Sequence, residues 1–177
     1  MTASCIARTE RLLLRRLAPD DRDALSAVLC DPEVMRFSMG VLRPEDVADW
    51  IDQRIAEYGR WGFGLWGVEL LESGCLIGYC GLTVIEIDGH SEVEIGYRLV
   101  RTHWGRGLGT EAARVVRDLA LQSLAIRRLI ALIDPDNHAS IRVASKLGMR
   151  DMRPVEMPDY DHPDRLYVLT FNHDDLL

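Results

Sequence analysis

Apolar positions in this chain fall into short runs and helical stripes, separated by turn residues. Arg11 to Leu17 (RLLLRRL) reads as a first strand. Pro19-Asp20 opens a helix reaching about Cys30, with Ala24, Leu25, Val28 and Leu29 as its apolar stripe, and Asp31-Pro32 breaks it. Arg43-Pro44-Glu45-Asp46 starts a second helix, with Pro44 in the first turn and two acids near the positive dipole end. Val47, Trp50, Ile51, Ile55 and Tyr58 form its buried face, and Gly59 stops it.

Strands follow. Phe63 to Leu71 and Cys75 to Ile87 are rich in apolar and β-branched residues, with Ser73-Gly74 turning between them. Asp88-Gly89 is a hairpin signal, and Val93 to Leu99 is the next strand. Thr110 to Leu124 reads as a helix packed through Ala112, Val116, Leu119 and Ala120. Arg128 to Ile133 is a short buried strand ended by Asp134-Pro135. Asn137 can cap a helix running to Leu147, closed by Gly148. Met152 to Met157 and Leu166 to Phe171 are closing strands. The pattern predicts the α+β class: a mixed sheet of about seven strands with helices on both faces.

The length, 177 residues, suits one domain spanning residues 1–177 with a sizeable core. A net charge of -7 argues against nonspecific nucleic-acid binding, which needs a basic surface. It is compatible with a cationic small molecule, a basic peptide, or simple solubility. Cys5, Cys30, Cys75 and Cys80 show no metal spacing and read as reduced, mostly buried thiols. With no basic-then-apolar leader and no apolar run near ~18 residues, the expected location is cytoplasmic, without membrane or metal.

The candidate chemistry centres on Trp104-Gly105-Arg106-Gly107-Leu108-Gly109-Thr110, between a strand and a helix. A glycine turn there exposes successive amides at a helix N-terminus, a site for phosphate or pyrophosphate. No lysine follows the last glycine, so a Walker A loop fails. The glycines alternate and the preceding strands look antiparallel, so a dinucleotide fold fits poorly. The pyrophosphate of coenzyme A fits.

The chain resembles the Gcn5-related N-acetyltransferases, and within them the branch that acetylates ribosomal-protein N-termini. WGRGLG matches the family's acyl-CoA motif except that Trp104 replaces the usual glutamine or arginine. Thr9 to Arg15, Asp31 to Arg36, Glu94 to Tyr97 and Asn137 to Gly148 match further branch segments in order. The resemblance implies a three-layer fold around a mostly antiparallel twisted sheet, splayed at the acyl-CoA site. It implies acetyl-CoA as cosubstrate, direct transfer to an amine such as a protein N-terminus, and a homodimer. Arg106, Gly107, Leu108, Gly109 and Thr110 would cradle the pyrophosphate, with the Arg106 cation and the Thr110 hydroxyl adding to their amides. Tyr97 and Leu99 would offer main-chain partners to the pantetheine, and Asn137 either bonds that arm or caps its helix.

Acetyl transfer needs a neutral amine, oxyanion donors and a proton for the thiolate. Glu94 matches the family glutamate and is the candidate base; Glu156, Asp159, His162 or a water are rivals. Asp88 and His90 read as exposed turn residues. Many relatives carry a tyrosine where this chain has Ala144, so Ser140, one turn earlier, is the candidate thiolate partner. Phe37 to Leu42 and Glu156 to Asp164 are expected to border the acceptor, the latter through Glu156, Asp159, Tyr160, Asp161 and His162. Trp61 and Phe63 either line a pocket or pack in the core. A non-catalytic acyl-CoA-binding module and a nucleotide-binding regulator are the alternatives.

Overall fold

The computed structural model describes residues 4–38, 40–156 and 162–171. Its strands are β1 (Cys5–Arg8), β2 (Leu12–Arg15), β3 (Leu65–Leu70), β4 (Leu76–Ile87), β5 (His90–Leu99), β6 (Arg128–Ile133), β7 (Arg150–Val155) and β8 (Asp164–Thr170). Its α-helices are α1 (Arg22–Leu29), α2 (Val47–Trp61), α3 (Leu108–Gln122) and α4 (His138–Lys146). The strands form one eight-stranded sheet in the order β1-β2-β3-β4-β5-β6-β8-β7. Every neighbouring pair is antiparallel except β5 and β6.

The strand missing from the sequence reading is β1. It has four residues, exposed at both ends, and too little alternation to register as a strand. Gly59 does not end the second helix. The helix continues to Trp61, and Gly62, at φ 78°, closes it. Of the four cysteines only Cys80 is buried; Cys5 is exposed at the start of the edge strand β1 and Cys75 in the turn before β4. The expectations for Met157, Asp159, Tyr160 and Asp161 lie outside the described residues.

Two apolar layers sandwich the sheet. On one face α3 inserts Leu108, Ala112, Ala113, Val116 and Ala120 against Leu82, Ile95, Leu99 and Leu129. The small alanines let the helix lie close to the strands. On the other face α1 and α2 bury Leu25, Val28, Leu29, Val47 and Ile51 against Leu65 and Tyr79. Tyr58 of α2 fastens this layer. Its hydroxyl receives the Leu17 N–H at 3.1 Å and donates to the Leu65 carbonyl. Among the described residues no helix is long and apolar enough to cross a membrane.

Candidate active site

The glycine turn forms where the sequence places it. Gly105 and Gly107 have φ of 72° and 78°, a region L side chains enter only with strain. That conformation folds the chain back so that α3 starts at Leu108 with Gly107 as its cap residue. The first helical donor is the Glu111 N–H, to the Gly107 carbonyl at 3.0 Å. The amides of Leu108, Gly109 and Thr110 therefore precede the helical ladder and converge at the positive helix end. Gly109 sits over the Tyr97 ring, where a Cβ would lie 3.3 Å from a ring carbon. The side chain of Arg106 is exposed, as the turn's cation would need to be.

A contact not expected from sequence fixes this turn. Glu111, in the first turn of α3, accepts from the Thr9 hydroxyl at 2.5 Å, the Arg11 N–H at 3.1 Å and the Arg11 guanidinium at 2.7 Å. Arg11 also donates to the Arg106 carbonyl at 3.0 Å. Although partial burial works against ionisation, these donors hold the Glu111 carboxyl below the usual range. The β1–β2 connection is thus bolted to the anion turn.

Beside the turn, β5 and β6 separate. Their register contains one pair, Glu94 with Ile130. The Val100 N–H bonds the Ile77 carbonyl at 2.9 Å, so alternate residues of β5 bond β4, namely Arg98 and Gly96. Tyr97 and Leu99 point their main-chain groups into the gap. The Leu99 carbonyl is already occupied: it accepts the Trp104 indole N–H at 2.7 Å. The Leu99 N–H and both Tyr97 groups are what remains for an extended arm. Trp104 itself is 49% exposed, so it staples the turn rather than filling the core.

Glu94 stands at the fork. Its Oε1 accepts the Leu132 N–H at 3.1 Å, an amide that a continuous β5–β6 ladder would have used. Burial pushes its carboxyl above the usual range and Asp164 pushes the same way, while the Leu132 N–H and Arg98 oppose them. Glu92, two residues earlier on the same face, is held by Arg128 at 3.0 Å. Across the gap, Ser140 lies in the first turn of α4. Its N–H is capped by the Asn137 side-chain oxygen at 3.1 Å, and its Oγ receives the Tyr97 hydroxyl at 3.3 Å. Burial raises the Tyr97 phenol to about 12, so it stays a donor at neutral pH. Asn137 thus spends its oxygen on the cap and keeps its amide donors for another partner. Ala144 is 3% exposed and brings no hydroxyl.

In the loops expected to border the acceptor, the Phe37 carbonyl receives Arg98 at 3.3 Å, tying the loop after α1 to β5. His162 Nε2 lies 3.2 Å from an Asp134 carboxylate oxygen. Asp164 is 6% exposed. The sequence reading gave Arg98 no role, took Asp134 as a strand end and Asp164 as the limit of the late loop; an acid closing one buried strand and another opening the next apolar run was the available signal. Glu156 is exposed. Asp88 pairs with Arg153 of β7, and Arg60 lies 4.5 Å over the Trp61 ring at the surface. Phe63 packs against the main core rather than a pocket.

A splayed parallel pair beside an anion turn defines an acyltransferase of the GNAT type. Residues 11–150 match the family model for the acetyltransferase (GNAT) domain, and the chain belongs to that family. It is 35% identical over 156 residues to the protein YkkB of Bacillus subtilis, covering 88% of this chain and 91% of that one. It is 33% identical over 145 residues to the uncharacterized N-acetyltransferase p20 of Bacillus licheniformis, covering 80% of each. The fold is shared with RimL, a ribosomal L7/L12 α-N-protein acetyltransferase in complex with coenzyme A. That similarity has a TM-score of 0.79 at 19% identity, covering 95% of this chain and 98% of that one.

Proposed function

We propose that this chain is an acetyl-CoA-dependent N-acetyltransferase of primary amines, acting as one cytoplasmic domain by direct transfer in a ternary complex. The observation that carries the reading is the fork: released main-chain groups of Tyr97 and Leu99 beside the α3 amides, with Glu94 at the branch point. Gly105 to Thr110 hold the pyrophosphate, and the β5 edge pairs with the pantetheine as an added strand would. Trp104 acts through Leu99. The side-chain amide of Asn137 is available to the same arm.

Glu94 takes the proton of the incoming ammonium, directly or through water, leaving a neutral nitrogen to attack the thioester carbon. Its raised basicity suits that task. As the carbon–sulfur bond breaks, the thiolate is met by the Ser140 hydroxyl. The Tyr97 hydroxyl occupies the Ser140 lone pair and so turns the Ser140 proton outward. Kinship with the ribosomal-protein branch supports a peptide N-terminus as one acceptor and a homodimer as the assembly.

Thiol release from acetyl-CoA, measured across peptide N-termini, polyamines, amino acids and aminoglycosides, tests the reading. Release with at least one class is expected. Strong acetyl-CoA binding with no release from any class would instead support a non-catalytic acyl-CoA-binding module, the reading that Ala144 favours. No stabilisation by acetyl-CoA would refute both.

A further inference from the structure

The sheet face that carries Glu94 continues past it into carboxylates. Register places Ile130, Leu132 and Asp134 of the β6 strand and its end on Glu94's side, together with Asp164 and Leu166 of β8. Extending that register by one step sets Asp134 directly opposite Asp164. Like charges facing each other across strands repel. Asp134 has partners, the Asp136 N–H at 2.7 Å and His162. Asp164 is 6% exposed, and its buried Oδ1 accepts no hydrogen bond. Arg98 offers it no ion pair, since that guanidinium turns toward Tyr79 and Phe37 on the β4 side. His162, which pairs with Asp134, also acts on Asp164 through its charge, yet the Asp164 Oδ1 still accepts no donor. A buried carboxylate oxygen without a donor, beside a second carboxylate, is a place for a further cation. Among the described residues no group of three or more acids, histidines or cysteines could hold a metal ion. An ammonium, with three N–H donors and a positive charge, has the chemistry to satisfy the Asp164 oxygen and offset both carboxylates.

We infer that Asp164, with Asp134 beside it, holds a second, non-reacting ammonium of the acceptor, so that the substrate is an aliphatic diamine or polyamine. The inference rests on the acetyl-transfer reading above. The reacting nitrogen cannot be the one held there, because a carboxylate pair keeps an ammonium protonated and unable to attack. That nitrogen belongs at the Glu94 carboxylate, which meets β6 at the Leu132 N–H, two residues before Asp134 and about 7 Å along the strand by its rise. The intervening surface carries Leu132 and Leu166, suited to the methylenes between two nitrogens.

The test uses the full chain and Asp164→Asn with 1,4-diaminobutane and 1-butylamine. Wild type is expected to favour the diamine at least tenfold in kcat/KM, and Asp164→Asn to cut that ratio at least tenfold. Calorimetry on the CoA complex should show diamine binding that the variant loses. Removing one of two facing carboxylates should leave the melting temperature equal or higher, so unfolding does not explain the loss. Equal kinetics for the two amines, an unchanged ratio in Asp164→Asn, or no diamine binding overturns the inference, whatever the activity. Diamine binding lost in Asp164→Asn with no acetylation of any amine supports the subsite and refutes transfer. Acetylation of butylamine or peptides without diamine preference refutes the subsite and leaves transfer intact.

Discussion

Replacing Glu94 by glutamine separates its bridging role from the base role proposed for it. Glutamine has the same length and keeps an oxygen for the Leu132 N–H, so the fork stays bridged. Only the charge and the proton-accepting capacity go. A positioned general base contributes roughly 10²–10⁴ in rate, about 2.7–5.5 kcal/mol of barrier. Turnover at saturating acetyl-CoA should fall by that factor, most steeply where the acceptor amine is protonated. Stability should move the other way. The Glu94 carboxyl is raised in the folded state, so its contribution is fully present below the unfolded glutamate range. It is lost as pH rises through the folded value. At neutral pH the variant should therefore melt at or above the wild-type temperature. Thiol-release kinetics across pH and a thermal melt measure both. Wild-type turnover in Glu94→Gln would remove the base role, and a lower melting temperature would show that the charge is needed by Arg98.

Other substitutions probe the donor side. Gly107→Glu places a charge and a Cβ at φ 78°, costing about 1–2 kcal/mol of stability and abolishing CoA binding in a thermal-shift titration. Tyr97→Phe removes the hydroxyl on Ser140 and should lower kcat roughly 2- to 10-fold with CoA affinity retained. Glu111→Ala breaks the clamp to Thr9 and Arg11 and should cost about 1–2 kcal/mol after allowing for the exposure of Arg11. That carboxyl is lowered in the folded state, so the wild-type advantage over Glu111→Ala should vanish as pH falls through its folded value.

The donor turn was legible because its signals are local. Gly105, Gly107 and Gly109 sit within five residues; the first two take a left-handed φ that favours glycine, and the third lets α3 pass close over the Tyr97 ring. Helix faces were legible for the same reason: a stripe such as Val47, Ile51 and Tyr58 repeats at helical spacing. The proposed acceptor subsite was not, because its residues meet only across strand pairings. Asp134 reads as a strand end and Asp164 as loop charge until the β6–β8 register puts them opposite each other. The Glu111 clamp spans about a hundred residues of sequence and leaves no periodic trace. Strand β1 was missed because an exposed edge needs no apolar alternation.

The fork explains why a carboxylate stands at that position at all. Where β5 and β6 part, main-chain donors and acceptors lose their ladder partners, and each buried orphan costs about 1–3 kcal/mol. The chain answers two of them with side chains: Glu94 takes the Leu132 N–H, and the Trp104 indole fills the Leu99 carbonyl. Between these two stoppers the Tyr97 N–H and carbonyl face the gap. A ligand that pairs with them must be extended and offer alternating donors and acceptors, as the amides of a pantetheine arm do. It must also end near Glu94 at one end and the α3 amides at the other. The side chain that bridges the fork is thereby held beside the point where the acyl group would arrive, so strand separation and the proposed base placement follow from one residue.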